Sequence, residues 1–270
     1  MFKILAKKRL AENITSLEIE APRIVKNAKP GQFVVLRVDE KGERIPLTLY
    51  YWDYKRKTIS LVFLEVGAST KKLGRLNEGD SILDLVGPLG KPFPLKKYGR
   101  VACVGGGVGI PAIYPIARTL REGGNTVDCI IGARHKDLLI LDDEIGLVSD
   151  TKTVCTDDGS LEVKGFVTDA LKERLQDLDL VVAVGPVRMM EAVANLTRGK
   201  VPCIVSLNPI MVDGTGMCGA CRVVVDGKVK FACVDGPDFD AHTVDFSELM
   251  MKNNQYVNEE KHAIKCWEKN

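Results

Sequence analysis

The sequence predicts a β-barrel plus α/β fold: an antiparallel barrel, then a parallel sheet with crossover helices, then a small cysteine-bearing subdomain near the C-terminal end. Three observations predict it. The first hundred residues hold short β-branched runs punctuated by glycine and proline, the signature of antiparallel strands. From about residue 100 such runs alternate with helical stretches, which implies crossover connections and a parallel sheet. Three of the eight cysteines then gather in a glycine-rich loop beyond residue 208. The expected boundaries are 1–98, 99–208, 209–240 and a helical tail at 241–270, and 270 residues leave room for two ordinary domains with appendages.

In the first region, residues 16–20, 33–38 and 58–64 are apolar or β-branched and partly alternating, as strands with one buried face should be. Pro30-Gly31, Gly42, Gly67, Gly79-Asp80 and Gly87-Pro88 separate them at the spacing of a small barrel. One helix is expected there, near 70–76. In the second region the expected strands are 101–104, 127–132, 153–155, 180–184 and 203–207. Helices are expected at 110–122, 167–176 and 188–198. Further on, 223–225 and 229–231 flank Asp226-Gly227, a strong hairpin signal. A polar helix is expected over 245–265, with Asp245 as its N-cap.

Thirty-eight basic side chains stand against 36 acidic ones. This near balance lends nothing to a nucleic-acid-binding role, which calls for a basic stripe. The N-terminus breaks into lysines after few apolar residues and no run approaches a membrane span, so a cytoplasmic protein is expected, with no membrane partner. Cytosolic thiols stay reduced, so the cysteines need another reading than disulfides. Cys103, Cys129, Cys155 and Cys203 lie in apolar surroundings and read as small buried hydrophobes; Cys266 also stands alone. His135, His242 and His262 are solitary, and no catalytic acid or base is expected.

Two motifs carry chemistry on their own residues. Gly105-Gly106-Gly107-Val108-Gly109 follows a buried strand and enters a helix, which lets backbone N–H groups approach a pyrophosphate. Its spacing is not the GxGxxG fingerprint, and a ligand-free tight turn fits the same residues. The second motif is Asp213-x4-Cys218-x2-Cys221-x11-Cys233. Plant-type [2Fe–2S] loops run C-x4-C-x2-C with a distant fourth cysteine, and Asp213 stands where the first cysteine would be. Asp213 is then an oxygen ligand or a turn residue with the fourth ligand supplied from elsewhere; zinc held by three thiolates plus another group is the competing metal, and a metal-free loop is the third reading. A third segment, Arg44-Ile45-Pro46-Leu47-Thr48, reads equally as a phosphate-and-ring contact or as an edge strand with a surface charge.

In order along the chain, these segments resemble the ferredoxin–NADP reductase superfamily. Arg44-Ile45-Pro46-Leu47-Thr48 is similar to its R-x-P-[LF]-[ST] flavin motif. Gly67-Ala68-Ser69-Thr70, Gly87-Pro88-Leu89-Gly90, the GGGVG turn and Gly185-Pro186-Val187-Arg188-Met189-Met190 follow in the same sequence. The appended cysteine loop resembles the electron-transfer subunit of dihydroorotate dehydrogenase B, and still more the small subunit of NADH-dependent reduced ferredoxin:NADP oxidoreductase, also described as sulfide dehydrogenase. The resemblance implies a flavin-binding barrel, a nucleotide-binding α/β domain and an iron–sulfur subdomain, with FAD, a [2Fe–2S] cluster and NAD(H) or NADP(H) as cofactors. It implies that Arg44 meets the flavin phosphates and that Pro46, Leu47 and Thr48 line the isoalloxazine. Gly67, Ser69 and Thr70 would then face the FAD pyrophosphate. Gly105, Gly106, Gly107 and Gly109 would face the nicotinamide nucleotide's pyrophosphate, Arg134 and Asp157 its ribose and phosphate, and Gly185 and Pro186 its nicotinamide. The implied metal ligands are Asp213, Cys218, Cys221 and Cys233. The implied partner is a larger FAD and [4Fe–4S] subunit in a heterodimer, or a TIM-barrel FMN subunit if the dihydroorotate type applies. A zinc-stabilised interaction protein on the same fold is the reading from another class. Val184 stands where many reductases of the superfamily carry a cysteine, so no thiol is expected beside the nicotinamide.

Overall fold

Alternating apolar side chains give each N-terminal strand one inward face, and the chain closes them on a shared core. In this computed structural model, which describes residues 1–268, the first region runs β1 (Phe2–Ala11), β2 (Ile14–Glu20), α1 (Pro22–Val25), β3 (Phe33–Arg37), β4 (Arg44–Thr48), β5 (Tyr51–Asp53), β6 (Thr58–Leu64), α2 (Ala68–Arg75), β7 (Ser81–Ile82) and β8 (Asp84–Leu89). Two antiparallel sheets form, in the orders β5-β6-β2-β1-β7 and β4-β3-β8. Ile4, Leu17, Ile19, Leu36, Ile59, Leu61 and Ile82 are fully buried between them. The single expected helix is α2. β1 was not expected, since Lys3, Lys7, Lys8 and Arg9 interrupt its apolar residues; pairing with both β2 and β7 holds it.

The second region continues with β9 (Arg100–Gly106), α3 (Ile110–Glu122), β10 (Thr126–Ala133), α4 (Asp142–Leu147), β11 (Thr151–Thr156), β12 (Val163–Lys164), α5 (Val167–Lys172), β13 (Leu180–Val184), α6 (Val187–Thr197) and β14 (Cys203–Ser206). Then follow β15 (Arg222–Val225), β16 (Lys228–Phe231), α7 (Ala232–Asp235), β17 (Asp238–Asp240), α8 (Phe246–Asn253) and α9 (Val257–Glu268). The large sheet has the order β12-β11-β10-β9-β13-β14-β17 and is parallel except for β17. That antiparallel edge strand comes from beyond the cysteine loop, so the chain leaves the sheet after β14 and returns to it. Alternate residues of β9 face opposite layers: Val101 and Cys103 pack with α3, whereas Ala102 and Val104 pack with α5 and α6. Strands that are apolar on both faces are what a parallel sheet covered on two sides requires. Cys103, Cys129, Cys155 and Cys203 are buried in it, each at most 2% exposed.

Asp245 caps α8 as expected, its Oδ1 accepting from the Glu248 amide at 2.9 Å. The single tail helix expected over 245–265 is instead two helices, broken at residues 254–256. Of the expected tail, residues 269–270 lie outside the described residues. Among the described residues no helix is long and apolar enough to cross a membrane.

Candidate functional site

In open α/β sheets ligands bind beyond the carboxyl ends of the strands, where the strand order reverses. Here β9 is flanked by β10 on one side and β13 on the other, so the reversal lies between β9 and β13. Both turns at that point are glycine-built. A Cβ on Gly109 would lie 2.2 Å from the Val184 carbonyl oxygen, and one on Gly106 would meet Met189 Sδ at 2.5 Å and Pro186 at 3.3 Å. Gly105, Gly106, Gly109, Gly185 and Pro186 are thus one close-packed pair of turns. Gly107 differs: it has φ +53° and open space where a Cβ would stand. That open side lies just before a 13-residue helix, whose first amide, from Ile110, donates to the Gly107 carbonyl and whose second residue, Pro111, has no N–H. Arg134 and Asp157 follow the ends of β10 and β11, and the Asp157 amide donates to the Ala133 carbonyl at 3.2 Å. Both side chains are exposed.

Arg44, Pro46, Leu47 and Thr48 are all on β4, whose partner is β3 in the register Phe33↔Thr48 and Val35↔Pro46. Arg44 is exposed; the other three are half-buried. Gly67 is the N-cap of α2, and its amide donates to Thr70 Oγ1 at 3.1 Å. The Ser69 hydroxyl donates to the Glu43 carboxylate beside Arg44.

The cysteine loop is shaped by three glycines with positive φ, Gly214, Gly216 and Gly219, a backbone region costly for other residues. Asp213 organises it. Its Oδ1 accepts from the Thr215 amide at 2.9 Å and its Oδ2 from the Cys218 amide at 2.8 Å, and these bonds hold its carboxyl below the usual range. The β15–β16 hairpin, turned by Asp226 and Gly227 with φ of +51° and +65°, brings its two flanks together. Cys221 and Cys233 therefore meet with sulfurs 3.2 Å apart. Burial, and then the neighbouring thiol, push Cys233 up to about 12. Cys218 is exposed on the outer arc. Among the described residues, no three His, Cys, Asp or Glu side chains converge as the shell of a single metal ion. The donors form two pairs instead: Asp213 with Cys218, and Cys221 with Cys233.

The loop rests on the barrel. A Cβ on Gly214 would lie 2.7 Å from Leu89, 3.0 Å from Val35 and 3.8 Å from Phe33. β3 therefore carries the cysteine loop on one face while pairing along its edge with the Arg44–Thr48 strand. Phe33, Val35 and Leu89 are contacts that sequence reasoning missed, since nothing local marks which face of a strand a distant loop will cover. It also missed an aromatic cluster joining barrel and sheet domain, although the run Tyr50-Tyr51-Trp52 signals it. The Tyr50 and Tyr114 rings meet tilted at 57° with centroids 5.1 Å apart, and the Arg118 guanidinium lies 5.3–5.9 Å from Tyr51, Trp52 and Tyr114. A cleft of about 790 Å³ runs along Pro94, Lys96, Tyr98, β14 and the edge strand β17, and includes none of the expected site residues.

Residues 208–245 match the iron-sulfur cluster binding domain of dihydroorotate dehydrogenase B. The chain is 50% identical over 262 residues to a Thermotoga maritima protein described as a dihydroorotate dehydrogenase B (NAD(+)) electron transfer subunit homolog, covering 96% of this chain and 93% of that one. It is 33% identical over 250 residues to the dihydroorotate dehydrogenase B (NAD(+)) electron transfer subunit of Geobacillus thermodenitrificans, covering 89% and 96%. A chain from the structure of an NADH-dependent reduced ferredoxin-NADP oxidoreductase, described in connection with flavin-based electron bifurcation, superposes with a TM-score of 0.94. It is 47% identical and covers 99% of this chain and 98% of its own length.

Proposed function

The chain belongs to the family of dihydroorotate dehydrogenase B-type electron-transfer subunits, and from that membership we propose that it is a two-to-one electron converter bound to a larger oxidoreductase subunit. It would carry FAD in the barrel, a nicotinamide nucleotide at the sheet's switch point and a [2Fe–2S] cluster in the cysteine loop. The division we propose is 1–98 for flavin, 99–208 for nucleotide, 209–240 for the cluster and 241–270 for the tail, with β17 crossing back to the nucleotide sheet.

One observation carries this reading. The cysteine loop and the flavin-motif strand share β3, so the two centres they would hold lie on neighbouring parts of one sheet. The donor set fits a two-iron group: two pairs of ligands, one for each iron, on a loop of small residues that lets amides approach the sulfurs. The Thr215 and Cys218 amides fix the Asp213 carboxylate, so the loop would present it to iron in a set orientation. The open side of Gly107, on the glycine turn beside the strand-order reversal, leaves room for a diphosphate to approach the backbone. When bound, the flavin supplies the exchange between a hydride on the nucleotide side and single electrons on the cluster side. The chain's own residues bind and orient. Arg44 and the first turn of α2 would hold the flavin phosphates, Thr48 would set the ring edge, and Gly185 and Pro186 would seat the nicotinamide. Val184 brings no thiol to that contact.

Similarity along 99% of the chain to the ferredoxin-NADP oxidoreductase chain favours a large FAD and [4Fe–4S] partner. The 33% identity to the Geobacillus subunit keeps a dihydroorotate-oxidising FMN partner as the second reading. Purification with the native partner decides: its cofactors separate the two, and a complex without flavin absorbance or iron overturns both. Replacing Asp213 with cysteine tests the ligand role, since ligand type and charge tune a cluster's potential. A changed midpoint potential and visible spectrum is expected; identical values would assign Asp213 to the turn alone.

A further inference from the structure

α2 is lightly anchored for an element proposed to face a diphosphate. It spans eight residues and buries one side chain, Leu73. Around it, Lys72 pairs with Asp39 and Ser69 with Glu43. On the outer side Lys71 and Arg75 stand one turn apart, a like-charge i,i+4 pair that by itself weakens a short helix. The chain brings a partner to that pair from its far end. α9 packs against α2. Its Trp267 ring lies 3.8 Å from the Arg75 guanidinium carbon and 5.6 Å from Lys71 Nζ. A half-buried indole over two cations offsets their repulsion through its negative π face and holds both side chains along one side of the helix.

We propose that Trp267 is a positioning residue for flavin: by stacking on Arg75 and Lys71 it straps the C-terminal helix across α2 and keeps the first turn of α2 set for the flavin diphosphate. The inference rests on the reading of α2 as the flavin-phosphate helix. It makes flavin retention depend on residues some 190 positions away in sequence, beyond the cluster loop and both edges of the nucleotide sheet. The cluster, held by its own loop, stays outside this linkage.

The test measures FAD release from the full-length, cofactor-loaded protein by the fluorescence of freed flavin, with iron content and the cluster's EPR signal followed in parallel. Trp267→Ala should weaken FAD binding about fivefold, the scale of one or two exposed cation–π contacts, with iron and EPR signal unchanged. Trp267→Phe should recover most of the loss. Arg75→Met should reproduce the defect, and the double variant should be no worse than the single ones. FAD binding within twofold of wild type for Trp267→Ala overturns the proposal, as does equal loss of flavin and iron, which would make α9 general scaffold. A wild-type protein that takes up no FAD sinks the flavin assignment of α2 itself, a result visible before any variant is made.

Discussion

Gly107 and Gly109 stand two positions apart and are glycines for different reasons. At Gly109 a Cβ would sit 2.2 Å from the Val184 carbonyl oxygen, an overlap the two packed turns can relieve only by separating. Gly109→Ala should therefore destabilise the fold, by about 1–3 kcal/mol or more as overpacking does, seen as a lower unfolding midpoint. At Gly107 nothing is in the way, and the left-handed backbone alone costs about 1–2 kcal/mol. Gly107→Ala should leave a folded protein and weaken nicotinamide-nucleotide binding severalfold, because the methyl would stand between the turn and an approaching diphosphate; titration with NADH and NADPH checks it, and unchanged affinity would move the nucleotide elsewhere. Both glycines were legible as one motif in the sequence. Which one packs and which one faces the open space was not, since that depends on β13 lying beside β9. Asp213 is similar: the spacing marked it, while its two amide bonds appear only once the loop is closed.

Among the elements, the β15–β16 hairpin does the most for the cluster loop. Its turn sequence was plain in Asp226-Gly227, and the structure shows the consequence, two cysteines from opposite ends of an eleven-residue interval meeting at 3.2 Å. Gly227→Val, at φ +65°, should strain the turn by about 1–2 kcal/mol and reduce iron bound per chain, with flavin content unaffected. Iron and flavin assays on one sample check this; normal iron would show that the hairpin does not set the pair. Elements with a clear hydrophobic period, such as α3, β6 and β13, appear over 110–122, 58–64 and 180–184 as their patterns indicate. β1 and β17 escaped because charged residues interrupt the first and the second is three residues long; both exist through their neighbours. The tail helix broke in two because α8 follows the sheet domain, whereas α9 follows α2.

At the scale of the molecule, the barrel, the loop leaving α7 and the nucleotide sheet meet at Asp238. Among the described residues neither of its buried carboxylate oxygens has a hydrogen-bond partner, and Oδ2 lies 2.7 Å from where a Cβ on Gly31 would stand. Burial pushes its carboxyl from 3.8 to about 7. The folded protein therefore holds this proton more tightly than the unfolded chain does. Stability then falls as pH rises from about 4 through 7, and the full penalty, of order 2–4 kcal/mol, stands above pH 7. Asp238→Asn keeps the shape without the charge, so it should be more stable than wild type at pH 8 and nearly equal to it at pH 4. Thermal melting across that range decides, and parallel curves for the two proteins would refute it.

The order of the glycine and cysteine motifs, the change from period-two strands to alternating strands and helices, and the hairpin turn were all determined by the sequence, because each depends on residues close together in the chain. The tertiary structure alone decided that one barrel strand carries the cysteine loop on its face and the flavin motif on its edge, that an aspartate is sealed where three regions meet, and that the last helix lies on the first domain. Those contacts join residues far apart in sequence, and burial and packing, which no short window of residues contains, choose them.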